Sequence, residues 1–272
     1  MLAELHGKIS RSGSNLRTTS DDNLTGNVFG TLRYVSFKQL TKPLLLSSIC
    51  SISEKTLQDV RNAINDVNID FWGENIEFWP YDKEGELDVL LQFDSVVLGI
   101  EVKYNSPMSD QCADMQYNIE MDIGLSRKQL DRESRIVKRY ANGRKAILLL
   151  LAKKQFAKDI IMETLANGNI AKGVKLCFMG WEDLLEALKA EYQKYQPNDF
   201  TSLIISDLIN LLTIKGFEKF NSFDDIEGLE IIVSDDGYYE FYESTATPKD
   251  SISFYYNDNI LKEDFYEFTS GK

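Results

Sequence analysis

The chain has 272 residues, 43% hydrophobic and 27% charged, with a formal net charge of −13. That composition suits a soluble globular protein with its own core and excludes collagen, low-complexity disorder and disulfide mini-scaffolds. The longest apolar run, residues 146–152, falls far short of the roughly 20 residues of a spanning helix, and MLAELHGKISRSG lacks the apolar stretch of a secretory signal, so a cytoplasmic protein without a membrane partner is expected.

Residues 1–20 are polar and read as loop. Ser20 then suits a helix N-cap, with Asp21 and Asp22 in the first turn and Leu24, Val28 and Leu32 at helical spacing. A second amphipathic helix is predicted over 54–67, with Leu57, Val60, Ala63 and Ile64 on one side. After Phe71 the character changes to β-prone runs: IEFWP, ELDVLLQF and VVLGIEVKY. Residues 125–140 return to helix, ended by Asn142-Gly143. AILLLLA and VKLCFMG read as buried strands. WEDLLEALKAEYQKY and TSLIISDLINLLTIKGF read as helices separated by Pro197, and LEIIVS and YYEFYES as strands about an Asp235-Asp236-Gly237 turn. The predicted organisation is an α/β core over 1–196 and an α+β extension over 197–272.

Charge is unevenly spread. From Gly216 onward there are 14 acids against 4 bases. Between Arg127 and Lys145 the sequence carries Arg127, Lys128, Arg132, Arg135, Lys138, Arg139, Arg144 and Lys145 against only Asp131 and Glu133. A near-neutral body with a basic helix therefore carries an acidic, aromatic-rich tail. Several chemistries lack their residues. The single histidine is His6, and Cys50, Cys112 and Cys177 are widely spaced. No P-loop, GxGxxG or internal repeat is present.

Chemistry concentrates in two strands. In a strand, side chains alternate faces. Leu87, Val89, Leu91 and Phe93 then share one face of the first run, with Glu86, Asp88, Leu90 and Gln92 on the other. With Asp94-Ser95 as a hairpin tip, Phe93 pairs with Val96, Asp88 falls opposite Glu101, and Glu86 opposite Lys103. Two carboxylates face to face are unfavourable alone. A divalent cation reverses that sign, and Mg²⁺ takes one or two carboxylates plus waters and phosphate oxygens. Lys103, two residues beyond Glu101 on the same face, is suited to orient a water or offset phosphate charge. Glu101-Val102-Lys103 is the only [DE]xK tripeptide in the chain.

Asp88, twelve residues, then Glu101-Val102-Lys103 resembles the core of the PD-(D/E)XK nuclease superfamily, with Leu87 where proline usually precedes the aspartate. The resemblance covers some 160 residues, from about Ser20 to Met179. It implies a restriction-endonuclease-like αβββαβ core, a mixed sheet flanked by helices. It implies Asp88 and Glu101 as ligands of Mg²⁺ or Mn²⁺, the Val102 carbonyl as a further ligand, and Lys103 as the catalytic lysine. Members often carry an acid on the first core helix; Asp21 and Asp22 are the candidates, and Asp21 lies within the apolar stripe. Members with recombination-type cores often place a glutamine on the helix after the lysine strand, where Gln129 stands. Arg127, Lys128, Arg132 and Arg135 around it are then phosphate contacts.

The expected activity is metal-dependent hydrolysis of DNA, in restriction, phage defence or repair. RNA as substrate and a catalytically idle interaction or nucleic-acid-binding subunit stay open as alternatives. The acidic extension is expected to dock a protein partner or to cover the basic helix of its own chain. Many such nucleases act as homodimers, but no interface is legible.

Overall fold

The computed structural model describes residues 21–104, 115–197 and 199–218, and three strands between 229 and 255. The chain divides into two units, residues 1–218 and 219–272. This displaces the boundary expected at 196/197. The reason is helix α7 (Phe200–Ile214), whose Ile205, Leu208 and Leu212 are buried in the core of the first unit.

The first unit opens with α1 (Asp21–Leu32), burying Leu24, Val28, Phe29 and Leu32. A π-helical turn (Phe37–Thr41), capped by the Ser36 hydroxyl accepting from the Gln39 N–H at 3.1 Å, runs into α2 (Lys42–Ser48). Strand β1 (Ile49–Cys50) and helix α3 (Glu54–Asn65) follow, the latter capped by Ser53. Then come β2 (Ile76–Phe78), β3 (Tyr81–Asp82), β4 (Gly85–Glu86), β5 (Val89–Gln92) and β6 (Val96–Val102). Helix α4 (Met115–Ala141), β7 (Lys145–Ala152), α5 (Lys154–Asn167), β8 (Val174–Gly180), α6 (Trp181–Tyr192) and α7 complete the unit. Left-handed Asn142 (φ 44°) and Gly143 (φ 92°) end α4, as the sequence predicts.

A six-stranded mixed sheet runs β1-β8-β7-β6-β5-β2. β6, β7 and β8 are parallel; the outer pairings are antiparallel. Both faces are covered, so its central strands are continuously apolar rather than alternating. On β7, Ile147, Leu149 and Leu151 enter the core shared with α1, α2, α3, α6 and α7. Its Ala146, Leu148 and Leu150 enter the core shared with α4 and α5. Helix α5 was not anticipated, although Ala157, Ile160, Ile161 and Thr164 are buried at helical spacing.

The hairpin register is the expected one. Val89 pairs with Ile100 and Leu91 with Leu98, and the Phe93 N–H donates to the Val96 carbonyl at 2.9 Å. One part of the reading is corrected. Trp79 adopts φ 49°, and beyond it the chain leaves the main sheet as the separate β3–β4 hairpin. Glu86 is therefore exposed on β4 opposite Tyr81, not opposite Lys103. Strand alternation also breaks there, because Leu87 joins Leu90 and Val97 in the core beneath α4 instead of sharing the face of Val89.

The second unit is described by an antiparallel sheet, β11 (Ile252–Tyr255), β10 (Tyr238–Glu243) and β9 (Leu229–Val233), with β10 central. The two expected strands are present. The predicted Ser20 cap, the 235–237 turn, His6, Cys112 and the side chains of the acidic extension lie outside the described residues.

Candidate active site

The C-terminal end of β6 gathers polar side chains from four separate stretches of chain. Asp88, at the kink before β5, accepts a hydrogen bond from the Val102 N–H at 2.8 Å. Val102 thus meets the site through its amide. Glu101 lies inside the sheet, only 3% exposed. Lys103 Nζ lies 2.8 Å from Glu101 Oε1 and donates to Gln129 Oε1 at 3.0 Å. Gln129 Nε2 in turn donates to Glu101 Oε1 at 2.6 Å. Glutamate, lysine and amide so form a closed ring that fixes all three rotamers.

Two further contacts hold the strand end. Asp21 Oδ1 accepts from the Tyr104 N–H at 2.6 Å, which places this α1 acid beside Lys103. Trp181 Nε1 donates to the Lys103 carbonyl at 3.0 Å. Gly99 sets the approach of α4. A Cβ there would stand 2.3 Å from Val137 Cγ2 and 2.9 Å from Leu87 Cδ2. Its absence lets α4 lie close enough for Gln129 to reach Glu101.

Sequence reasoning missed Glu133. It sits one turn beyond Gln129 on α4 and is only 2% exposed. The Glu101 carboxyl and the Gln129 amide are close enough to act on its ionisation. A signal was present, since Glu133 falls in the buried stripe of Leu130, Ser134, Val137 and Ala141. An acid at a core position of an amphipathic helix is anomalous.

The electrostatics follow from burial. Desolvation, then the neighbouring Glu101 charge, pushes the Asp88 carboxyl well above the ordinary range, against the pull of the Val102 N–H. Desolvation, then Glu133, does the same to Glu101. Glu133 is pushed up to about 8, chiefly by desolvation. Burial disfavours the ammonium of Lys103, but Glu101 and Asp88 outweigh it and raise its pKa, so Lys103 keeps its proton. Asp21 is raised by burial despite the Tyr104 N–H. Low dielectric and like charge both penalise ionised carboxylates.

The basic residues are placed differently. Arg127 pairs with Glu163 of α5 at 3.1 Å. Arg135 Nε lies 2.5 Å from Glu84 Oε2, and Arg132 Nη1 donates to the Glu84 carbonyl at 3.4 Å. Arg139 binds Glu84 at 2.6 Å and also Asp82. The β3–β4 hairpin therefore meets the basic side of α4 with its own acids, while Lys128 is exposed.

A hard divalent cation fits this donor set in its chemistry. Asp88 and Glu101 are adjacent oxygen donors whose mutual repulsion a cation relieves, and one or two carboxylates are what Mg²⁺ usually takes from a protein. Among the described residues, no group of three or more acidic, histidine or cysteine side chains is arranged to hold a metal ion. No family model, curated protein or solved structure matches the chain. What is established is a mixed α/β fold with a six-stranded sheet, in which no helix among the described residues is long and apolar enough to cross a membrane.

Proposed function

We propose that the chain is a nuclease of PD-(D/E)XK type, hydrolysing phosphodiester bonds of DNA with Mg²⁺ or Mn²⁺ bound by Asp88 and Glu101. The observation that carries the reading is the convergence of Asp88, Glu101, Lys103 and Gln129 at one end of β6, with Asp21 adjoining. With further helices and short strands between them, α1, β2, β5, β6, α4 and β7 succeed one another in the αβββαβ order of that superfamily, which supports it. When bound, the cation supplies Lewis-acid polarisation of the phosphate and a lower pKa for a coordinated water.

The chain's own residues do the rest. Lys103 holds its proton at Nζ and presents a positive donor to a water or to the phosphate oxygens as charge develops. Gln129 locks Lys103 against Glu101, so the ammonium is positioned before substrate arrives. Asp21 anchors the Tyr104 amide and, with Trp181, keeps Lys103 at the strand end. Hydrolysis adds water across one P–O bond, leaving a phosphomonoester and a hydroxyl.

The test is cleavage of supercoiled plasmid at low salt with Mg²⁺, Mn²⁺ or EDTA, wild type beside Lys103→Ala. Metal-dependent nicking lost in the variant supports the reading; no nicking with either metal overturns it. A second reading, a catalytically idle interaction subunit, is favoured by the ion pairs that already engage Arg127, Arg135 and Arg139 with the chain's own acids and so draw them away from phosphates.

A further inference from the structure

We infer that the β3–β4 hairpin is a displaceable cover on a nucleic-acid-binding side of α4: Asp82 and Glu84 hold the guanidinium groups of Arg132, Arg135 and Arg139 until backbone phosphates take them over. This rests on the nucleic-acid reading given above. Arg132, Arg135 and Arg139 follow one another at i, i+3 and i+7, on one side of the helix. Glu84 takes a different guanidinium on each oxygen, Arg135 Nε lying 2.5 Å from Oε2 and Arg139 Nη1 2.6 Å from Oε1. Arg139 also binds Asp82, and Arg132 Nη1 donates to the Glu84 carbonyl at 3.4 Å. Two guanidinium groups on the two oxygens of one anion is also how a phosphodiester is held, because the planar fork fits carboxylate and phosphate alike.

The cover matches the cations in kind but not in number. Three arginines face two acids, and exposed Lys83 stands between those acids in the hairpin, so the closed surface keeps a positive excess that draws a polyanion in. The hold is also slight. Among the described strands, β3 and β4 pair only with each other, through Tyr81 with Glu86 and Asp82 with Gly85. A two-stranded hairpin is marginal by itself, and half-exposed ion pairs each contribute little. Asp82 and Glu84 lie outside both apolar cores, so their ion pairs can exchange without unpacking either. A nucleic acid brings a regular row of phosphates and releases condensed counterions as it binds, a gain that two carboxylates of the same chain do not offer.

The test is binding of a short fluorescein-labelled DNA duplex by the full chain, in EDTA at low salt, read by fluorescence anisotropy. The proteins are wild type, Asp82→Asn/Glu84→Gln, and that pair combined with Arg135→Gln/Arg139→Gln, each checked for folding by thermal melting. EDTA keeps the cation site out of the readout. The expected result is about tenfold tighter binding without the two acids, the scale of two or three exposed ion pairs that no longer compete. That gain should vanish when the arginines are removed as well, because the acids then cover nothing. Affinity of the first variant within about twofold of wild type, the scatter between unrelated sites, overturns the inference. So does a gain that persists without the arginines, which is the general effect of removing negative charge. No duplex binding by any of the three proteins also overturns it, and the nuclease reading falls with it only if plasmid nicking by wild type fails too.

Discussion

Helix α4 carries charge on two sides under opposite conditions. Gln129 and Glu133 point to β6, where Gln129 donates to Glu101 and Glu133 is buried. Arg132, Arg135 and Arg139 point to the β3–β4 hairpin, where three guanidinium groups meet Asp82 and Glu84 at the half-exposed surface. The surface side is electrostatically satisfied and energetically slight, because water screens it. The buried side is hydrogen-bonded but desolvated, and each charge there is costly. The proposed chemistry lies on the second side, where burial has moved the ionisation of the carboxylates furthest.

The contrast breaks most visibly in catalysis. Lys103→Ala or Asp88→Asn should lower metal-dependent cleavage by about 10²–10³-fold or more, the scale of losing one preorganised charged group. Arg135→Gln, on the other side of the helix, should leave turnover close to wild type and alter only salt dependence. Parallel plasmid assays across a salt series make the comparison.

Packing gives the next largest effect. Gly99→Val would drive a side chain into Val137 and Leu87 and should destabilise the protein by about 1–3 kcal/mol. Lifting α4 should also part Gln129 from Glu101. Denaturant unfolding measures the first, and lost cleavage at a temperature where the variant is still folded reports the second.

The two sides also differ in their response to pH. An acid whose folded pKa exceeds its unfolded value keeps a proton that the unfolded chain releases. Its contribution is full below the ordinary glutamate value of 4.5 and is lost as pH climbs toward about 8 for Glu133. Metal-free stability should therefore fall across that window, by about 1.4 kcal/mol per pH unit for each proton so held. Asp88 and Glu101 act in the same direction. Glu133→Gln should flatten the slope, as followed by urea midpoints between pH 5 and 8.

The smallest effect sharpens the comparison from the surface side. A double-mutant cycle of Arg135→Gln with Glu84→Gln should yield a coupling of about 0–1 kcal/mol that fades in high salt.

Much of this was legible beforehand. Asp88, Glu101 and Lys103 could be brought together on paper because strand alternation and a two-residue tip fix the hairpin register, and Val89 does pair with Ile100. Asp21 was legible from the helical wheel, and it does reach the Tyr104 amide. Glu86 failed the same arithmetic, because nothing local announces that Trp79 would take a left-handed φ and turn β4 out of the sheet. The four basic residues, expected as phosphate contacts, share helix α4 but point in different directions. Their pairing with Glu84 and Glu163 depends on elements up to 51 residues away along the chain.

By itself, the sequence determined whatever depends on period: the buried apolar strands, the amphipathic helices, the Asn142-Gly143 stop, and the face that Asp88 and Glu101 share. These follow from backbone geometry over a few residues. Tertiary structure decided what depends on approach between distant segments. It decided how near α4 lies to β6 over Gly99, which donor Glu101 takes, and that Glu133 is buried in the core beside it. The physical reason is that burial and low dielectric, which set the cost and the reactivity of a charge, are properties of the packed layers and of no single segment.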